Sequence, residues 1–175
     1  KFFLPEYTIG DDSRLTGYYN PESTSPLTCT FITSLMKIKG NTLNGVVLNI
    51  DTEDSSLLAN VGSQSVVFDA RAGLENLTLE STLNKDKLFF KTQWLNWDST
   101  MNSGKISGTA EFYNPESSKR LSVSINPSAI IINDAKWDLE KLMLFVDTAG
   151  VSVDHLLLRH MGQNIKAHGK ISGTP

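Results

Sequence analysis

The sequence has a single cysteine and lacks long apolar runs. Cys29 is the only cysteine among the 175 residues, which excludes an intramolecular disulfide and a cysteine-based zinc site. We interpret Cys29, which lies between Thr28 and Thr30, as an inward-facing, buried and unreactive thiol on a strand. Since no apolar run approaches the roughly 20 residues of a transmembrane helix, we expect no such helix within this sequence.

Charge of one sign is also not concentrated anywhere. The formal net charge is -3, and acidic and basic residues are interspersed along the chain. Binding to nucleic acid phosphates needs clustered Lys and Arg side chains, so we expect no nucleic acid partner. The hydrophobic content of 39% and charged content of 20% are those of an ordinary folded domain.

Catalytic and metal-binding motifs are missing or incomplete. Residues Asp147–Gly150 resemble the aspartic-protease loop, but Ala149 stands where that loop has glycine, and there is no second copy. A turn between two strands explains the same residues. His155 and His160 are separated by an odd number of positions, which places them on opposite faces of a strand. We therefore predict a protein that is not an enzyme and has no cofactor and no metal site.

Alternation of apolar and polar residues dominates the segment from Asn126 to Ser172. A period of two indicates strands with one apolar face and one polar face. Short polar breaks at Asp147–Gly150 and Met161–Asn164 separate the runs. The segment is therefore predicted to be a meander of short antiparallel strands with all apolar side chains on one side.

Further strands are predicted upstream, so that residues 1–175 form a single all-β segment of about 10–13 strands with little helix. Residues 1–42 are the least regular part, Leu57–Ala59 is a candidate helical turn, and Asp98–Gly104 is a candidate loop. The upstream strands are expected at Leu15–Tyr19, Leu27–Thr33, Leu35–Lys39, Leu43–Thr52, Val66–Ala70, Leu74–Ser81, Lys87–Trp97, Lys105–Tyr113 and Leu121–Ile125.

Several residue blocks resemble the TamB-like proteins of the AsmA-like group in the bacterial cell envelope. The resemblance covers Leu43 to Pro175 and is weak over the first forty residues. It is carried by Lys87–Phe90, Trp94–Trp97, Ser103–Ile106, Phe112, Ile125–Ser128, Ile132–Asp134, Trp137, Val151–Leu158, Gln163–Lys166 and Gly169–Ser172.

The resemblance implies a fold, a location and partners. The fold would be a curled antiparallel sheet that forms an open groove (a β-taco), with TamB-like repeats over residues 43–175. The whole protein would be anchored in the inner membrane, span the periplasm and serve outer-membrane biogenesis by passing phospholipid between the two membranes. Its partners would be phospholipid, an outer-membrane barrel protein of the BamA/TamA type and nascent outer-membrane proteins. The first residue is not Met, and the last residues follow a strand directly, so we expect a piece excised from a longer protein.

A sheet with one apolar face must cover that face. It can close into a barrel, fold over as a sandwich with a dry core, or curl into a groove that holds an apolar ligand. For the third case, lipid transport along the groove, we predict that the lining residues are Leu48, Ile50, Leu79, Phe90, Trp94, Ile106, Phe112, Val123, Ile125, Ile132, Leu139, Leu144, Val146, Val153, Leu156 and Leu158.

Two other functions remain open at this point. The chain is alternatively a chaperone-like module that assists the assembly of outer-membrane proteins by adding their strands to its sheet edge. It is alternatively a glycan-binding β-domain that uses Trp94 or Trp97, although on a regular strand these two rings point to opposite faces.

Overall fold

The structure is a computed structural model that describes residues 7–68, 72–97, 100–113, 120–147 and 150–172. These residues form an all-β fold, and no helix among them could span a membrane. The strands are β1 (Tyr7–Ile9), β2 (Arg14–Tyr19), β3 (Leu27–Ile38), β4 (Asn41–Glu53), β5 (Ser56–Phe68), β6 (Ala72–Asn84), β7 (Lys87–Trp97), β8 (Met101–Tyr113), β9 (Arg120–Ile125), β10 (Ser128–Ile132), β11 (Ala135–Leu139), β12 (Leu142–Asp147), β13 (Gly150–His160) and β14 (Gln163–Ser172).

The described strands form one antiparallel sheet, which confirms the predicted all-β fold; it has 14 strands, slightly more than the roughly 10–13 expected. Tight two-residue turns join many neighbours. In the turns Asp54–Ser55 and Asn133–Asp134 both residues have positive φ, with values of 45° and 63° in the first and 49° and 63° in the second. Two successive positive φ angles match the right-handed twist of the flanking strands, which explains why short polar residues occupy these turns.

The chain divides into two compact units. Unit 1 comprises residues 1–82 and 93–96, and unit 2 comprises residues 83–92 and 97–175. In unit 1, β1 and β2 both lie along one edge of β3: β1 pairs with the segment Met36–Ile38 and β2 with the segment Leu27–Ile32. The region predicted to be least regular is therefore strand for much of its length.

A transverse break crosses the strands of unit 1. The register of β3 with β4 skips Ser34 and Gly45, and the register of β4 with β5 skips Gly45 and Gln64. Gly45 has a φ of 58°. Two buried valines lie on either side of this break. Val46 of β4 pairs with Thr33, and Val66 of β5 pairs with Leu43, which lies three positions before Val46. The alternation of inward and outward side chains is therefore shifted by one residue at the break.

Side chains replace the backbone bonds that are lost at this break. The Thr33 hydroxyl donates to the Leu35 carbonyl at 2.9 Å, and the Ser63 hydroxyl lies 2.9 Å from the Ser65 carbonyl. A third buried side chain, on β7, also bonds the backbone of a neighbouring strand: the Asn96 amide accepts a bond from the N–H of Glu75 and donates to the Gly73 carbonyl of β6. Thr33, Ser63 and Asn96 are all buried, so their hydrogen bonds satisfy backbone groups that water does not reach.

Unit 2 is a meander in which two strands are interrupted. β9 and β10 pair with successive parts of β8, and β11 and β12 pair with successive parts of β13. Each interruption is two residues long, Asn126–Pro127 in one case and Glu140–Lys141 in the other. β13 carries a bulge between Val153 and Leu156, where His155 has a φ of 61°.

Little of the described chain is buried. The buried hydrophobic side chains are Val46, Val66, Ala110, Leu139, Leu142 and Leu157. The accessible surface is 12233 Å² for 19.3 kDa. A compact protein of this mass exposes about 8,500 Å², and two separate compact bodies of half the mass together expose about 10,200 Å². Most apolar side chains are therefore only half-buried.

Two local predictions are wrong. Leu57–Ala59, expected as a helical turn, lies within the long strand β5 and pairs with β4. The candidate loop Asp98–Gly104 is shorter than expected, because β8 begins at Met101. In both cases cross-strand pairing extends the strand beyond what the local sequence pattern indicates.

Candidate functional site

The candidate site is one continuous apolar face, which we call the wall. In unit 2 the wall is built from rows of side chains that run across the strands, since antiparallel partners share a face. One row consists of Phe112, Leu121, Val146, Val151 and Ile171, each opposite the next. It crosses β8, β9, β12, β13 and β14, a width of about 19 Å at the usual strand spacing.

The next row toward the interruptions consists of Ala110, Val123, Leu144, Val153 and Gly169. Beyond the interruptions, Leu139 lies opposite Leu158, and Leu158 lies opposite Ile165. β14 alternates regularly along its whole length and pairs with both parts of the wall. The two parts therefore lie on the same side of the sheet, which is the side of Ile165, Ala167, Gly169 and Ile171.

At the bulge and at the two interruptions, the apolar residues of the sequence no longer fall on every second position, yet they stay on the wall. Wall residues that flank them are three positions apart: Ile125 and Ser128, Leu139 and Leu142, and Val153 and Leu156. A three-residue step would place the second residue on the opposite face of a regular strand. The extra residue at each of these positions restores the phase and also bends the strand.

The predicted lining residues of unit 2 lie on this wall. Phe90 belongs to it because its ring lies 2.7 Å from the position of a Cβ on Gly108, the wall residue opposite Ile125. The others are Ile106, Phe112, Val123, Ile125, Ile132, Leu139, Leu144, Val146, Val153, Leu156 and Leu158.

Unit 1 has an apolar face of its own. Leu48 lies between Phe31 and Val61, and Ile50 lies between Cys29 and Ala59. Cys29 is half-buried rather than fully buried. The remaining predicted lining residues of this unit, Leu79 and Trp94, are also half-buried. The side chain of Trp97 lies outside the described residues.

Polar and charged side chains occupy the opposite face. Ion pairs there join Lys87 to Glu111 at 2.6 Å and Arg159 to Glu140 at 2.8 Å. Others join His168 to Asp154, Lys170 to Asp147 and Lys136 to Asp138. These pairs are largely solvent-exposed and contribute little to stability, but they keep charge off the wall.

Apolar side chains are not confined to the wall. Leu157 is only 4% exposed although it alternates with the wall residues Leu156 and Leu158. The backbone N–H of Glu140, in the interruption between β11 and β12, donates to the Leu157 carbonyl. Phe145 also lies opposite the wall, under the guanidinium of Arg120. The period of two therefore predicts the wall better than it predicts burial.

The wall ends at an aromatic pair near the turn between β13 and β14. The rings of Trp137 and His160 have centroids 5.2 Å apart and are tilted by 34°. His160 Nδ1 lies 2.7 Å from the Lys136 carbonyl oxygen. His160 is half-buried and lies on the wall side, in phase with Leu158.

Two shallow depressions lie away from the centre of the wall. One, of about 400 Å³, surrounds Gly62 and has Val47, Asn49, Asn60 and Thr78 in its lining, on the face opposite Leu48. The other, of about 550 Å³, lies at the interruption next to Pro127. Neither has the convergent catalytic side chains of an enzyme pocket.

No group of three or more His, Cys, Asp or Glu side chains in the described ranges is arranged to hold a metal ion. In the protease-like loop, Thr148 and Ala149 lie outside the described residues. Asp147 ends β12 and lies 3.7 Å from the Lys170 amine.

The predicted lining residues leave out several members of the wall in unit 2 and of the apolar face in unit 1. Phe31, Val61, Leu121, Leu142 and Val151 belong to the apolar faces by cross-strand pairing. For Leu142 the sequence carries a signal, since Leu139 lies three positions before it with two polar residues between. It indicates an interrupted strand whose apolar face continues. Comparison of the chain with protein-family models, curated proteins and solved structures finds no match.

Proposed function

We propose that this chain is a non-catalytic groove segment of a periplasm-spanning, TamB-like protein that binds the acyl chains of phospholipids and passes them between membranes. The observation that carries the proposal is the wall of unit 2, in which five strands present apolar side chains in successive rows. Most of these side chains are half-buried, so they retain apolar area that a ligand would cover.

The energetics favour a ligand that is apolar and mobile. Each CH₂ group removed from water contributes about 0.8 kcal/mol, whichever wall residue covers it. Because this attraction has no preferred direction, an acyl chain exchanges one row for the next at little cost. A ligand recognised by hydrogen bonds would be held in one place, and the centre of the wall offers few donors or acceptors.

A curved sheet would let the wall surround such a chain. Bulges bend strands, and the interruptions in β9–β10 and β11–β12 lie directly opposite each other, since Leu142 pairs with Ile125 and Leu139 with Ser128. The bulge of β13 lies nearby in the adjacent strand. Aligned irregularities in neighbouring strands are the means by which sheets turn corners. We propose that this corner gives the groove its curvature.

Photo-crosslinking from β14 tests the proposal. Ile165 and Lys166 are adjacent and exposed, but Ile165 pairs with the wall residue Leu158 while Lys166 lies on the opposite face. A photoreactive amino acid at each position, in cells whose envelope lipids are then extracted and analysed by mass spectrometry, should give lipid adducts from Ile165 only. Equal adducts from both positions, or adducts from neither, would contradict the proposal.

A second candidate function is strand addition to the edge of the sheet. All ten residues of β14 are exposed, and among the described strands β14 pairs with β13 alone. Such an edge can accept an extended segment of a nascent outer-membrane protein. Proline in place of Lys166 or of Ala167 would remove one N–H from β14. Adjacent N–H groups of a strand point to opposite edges, so only one of the two faces outward to a client. Loss of client crosslinks from one variant, with lipid adducts at Ile165 unchanged, would favour this function.

A further inference from the structure

The end of the wall beside the β13–β14 turn differs chemically from its centre. Trp137 follows Ile130 across the sheet, and His160 pairs with Gln163. His160 is the one titratable side chain on the wall among the described strands of unit 2. The wall therefore combines an apolar stretch with one polar end, which is the pattern of an amphiphile.

The hydrogen bond of His160 determines what its ring offers to a ligand. Only Asp138 and Leu139 of β11 pair with β13, so Lys136 lies outside that ladder. The Lys136 carbonyl oxygen lies 2.7 Å from Nδ1 of His160. A carbonyl only accepts, so Nδ1 carries the proton. In the neutral ring Nε2 is then an acceptor, and no residue of the described chain bonds it.

Charged groups near this end are directed elsewhere. The Lys136 amine lies 3.8 Å from Asp138, and the Arg159 guanidinium lies 2.8 Å from Glu140, both on the face opposite the wall. The wall side thus presents the His160 ring, with Nε2 as an acceptor when the ring is neutral, beside the indole ring of Trp137 and the amide of Gln163. An acceptor beside an indole face suits a primary ammonium, whereas an anionic group finds no cation there.

We propose that Trp137, His160 and Gln163 form a head-group subsite for a lipid whose head carries a primary ammonium, such as phosphatidylethanolamine. This inference rests on the proposed function, because the acyl chain would lie along the wall from Leu158 and Leu139 onward. The ammonium donates a hydrogen bond to Nε2 and lies against the indole face. A choline head has no N–H to donate, and a glycerol head has no positive charge.

Competition binding at pH 8, above the ordinary titration range of histidine, tests the subsite. Lysophospholipids with one common acyl chain and an ethanolamine, choline or glycerol head would displace a fluorescent fatty acid, below their micelle concentrations. We expect the ethanolamine lipid to bind about two- to fivefold more tightly than the others. The variant H160L should remove that preference. The matched control H168L, on the opposite face of β14, should keep it.

The outcomes separate this inference from the proposed function. Equal binding of all three heads, or a preference that survives H160L, overturns the subsite while acyl-chain binding stands. Failure of all three lipids to displace the probe overturns both. Nitrogen NMR of the His160 ring gives an independent reading, since a neutral ring protonated on Nε2 in place of Nδ1 would also overturn the subsite.

Discussion

A charge on the wall should block acyl-chain binding while the same charge on the adjacent, opposite face should not. Phe112 and Tyr113 provide the test, because they are neighbours near the end of β8 with exposed fractions of 58% and 65%. Phe112 pairs with the wall residue Leu121, and Tyr113 pairs with Arg120. We expect Phe112→Glu to abolish most lipid binding and Tyr113→Glu to leave it nearly unchanged.

The expected magnitude follows from the exposed area of Phe112. An aromatic side chain has about 150–250 Å² to bury, so its exposed part of 58% is about 115 Å². At about 25 cal/mol per Å², a lipid tail that covers this area gains about 3 kcal/mol, which is about a hundredfold in affinity. Glutamate forfeits that gain and adds the cost of dehydrating a carboxylate.

The assay is displacement of a fluorescent fatty acid, with the unfolding midpoint of each variant measured alongside. Both substitutions remove a partly exposed aromatic ring, so both should lower the free energy of unfolding by a similar amount, about 1–2 kcal/mol. Stability then cannot explain a difference in binding. If Phe112→Glu and Tyr113→Glu bind lipid equally well, the reasoning that assigns ligand binding to the wall is wrong.

Three further predictions concern stability and are read from urea denaturation. Gly108→Ala should lower the free energy of unfolding by about 1–3 kcal/mol, because the new Cβ would collide with the Ser124 carbonyl oxygen and lie 2.7 Å from the ring of Phe90. Gly62→Ala, whose Cβ meets open space, should not lower it. Asn96→Ala should cost about 2 kcal/mol or more, since it strips partners from two backbone groups. His155→Val should cost about 1–2 kcal/mol, since a β-branched residue is strained at a φ of 61°, whereas His155→Asn should be tolerated.

Much of the fold follows from local patterns. The strands β2, β4, β7, β9 and β14 lie where alternation or apolar runs predict them, with ends that differ by a few residues. Strands β7 and β8, which follow each other in the sequence, are also neighbours in the sheet. Alternation succeeds because each strand needs one apolar face, and this requirement is already visible within a single strand.

The transverse breaks could not be predicted in the same way. Thr33, Ser63 and Asn96 are ordinary polar residues in the sequence, yet all three are buried: Thr33 and Ser63 beside the break in unit 1, and Asn96 against the backbone of β6. Their role depends on neighbours some twenty positions away, such as Asn44 for Ser63, which the sequence pattern does not identify. Likewise, the exposed fraction of Phe112 depends on which other residues cover its ring, and the sequence of β8 does not specify them.

The order of residues by itself determined that this chain forms strands, that each strand has an apolar side, and that charge stays off that side. These outcomes depend on side-chain direction along a single strand, which alternates whatever the neighbours are. Only the tertiary structure decided how the apolar sides of the unit 2 strands stay in one face, through the extra residues at Asn126–Pro127, Glu140–Lys141 and Asp154–His155. The physical reason is register: a face is shared only when strands pair in phase, and pairing is a property of two strands together.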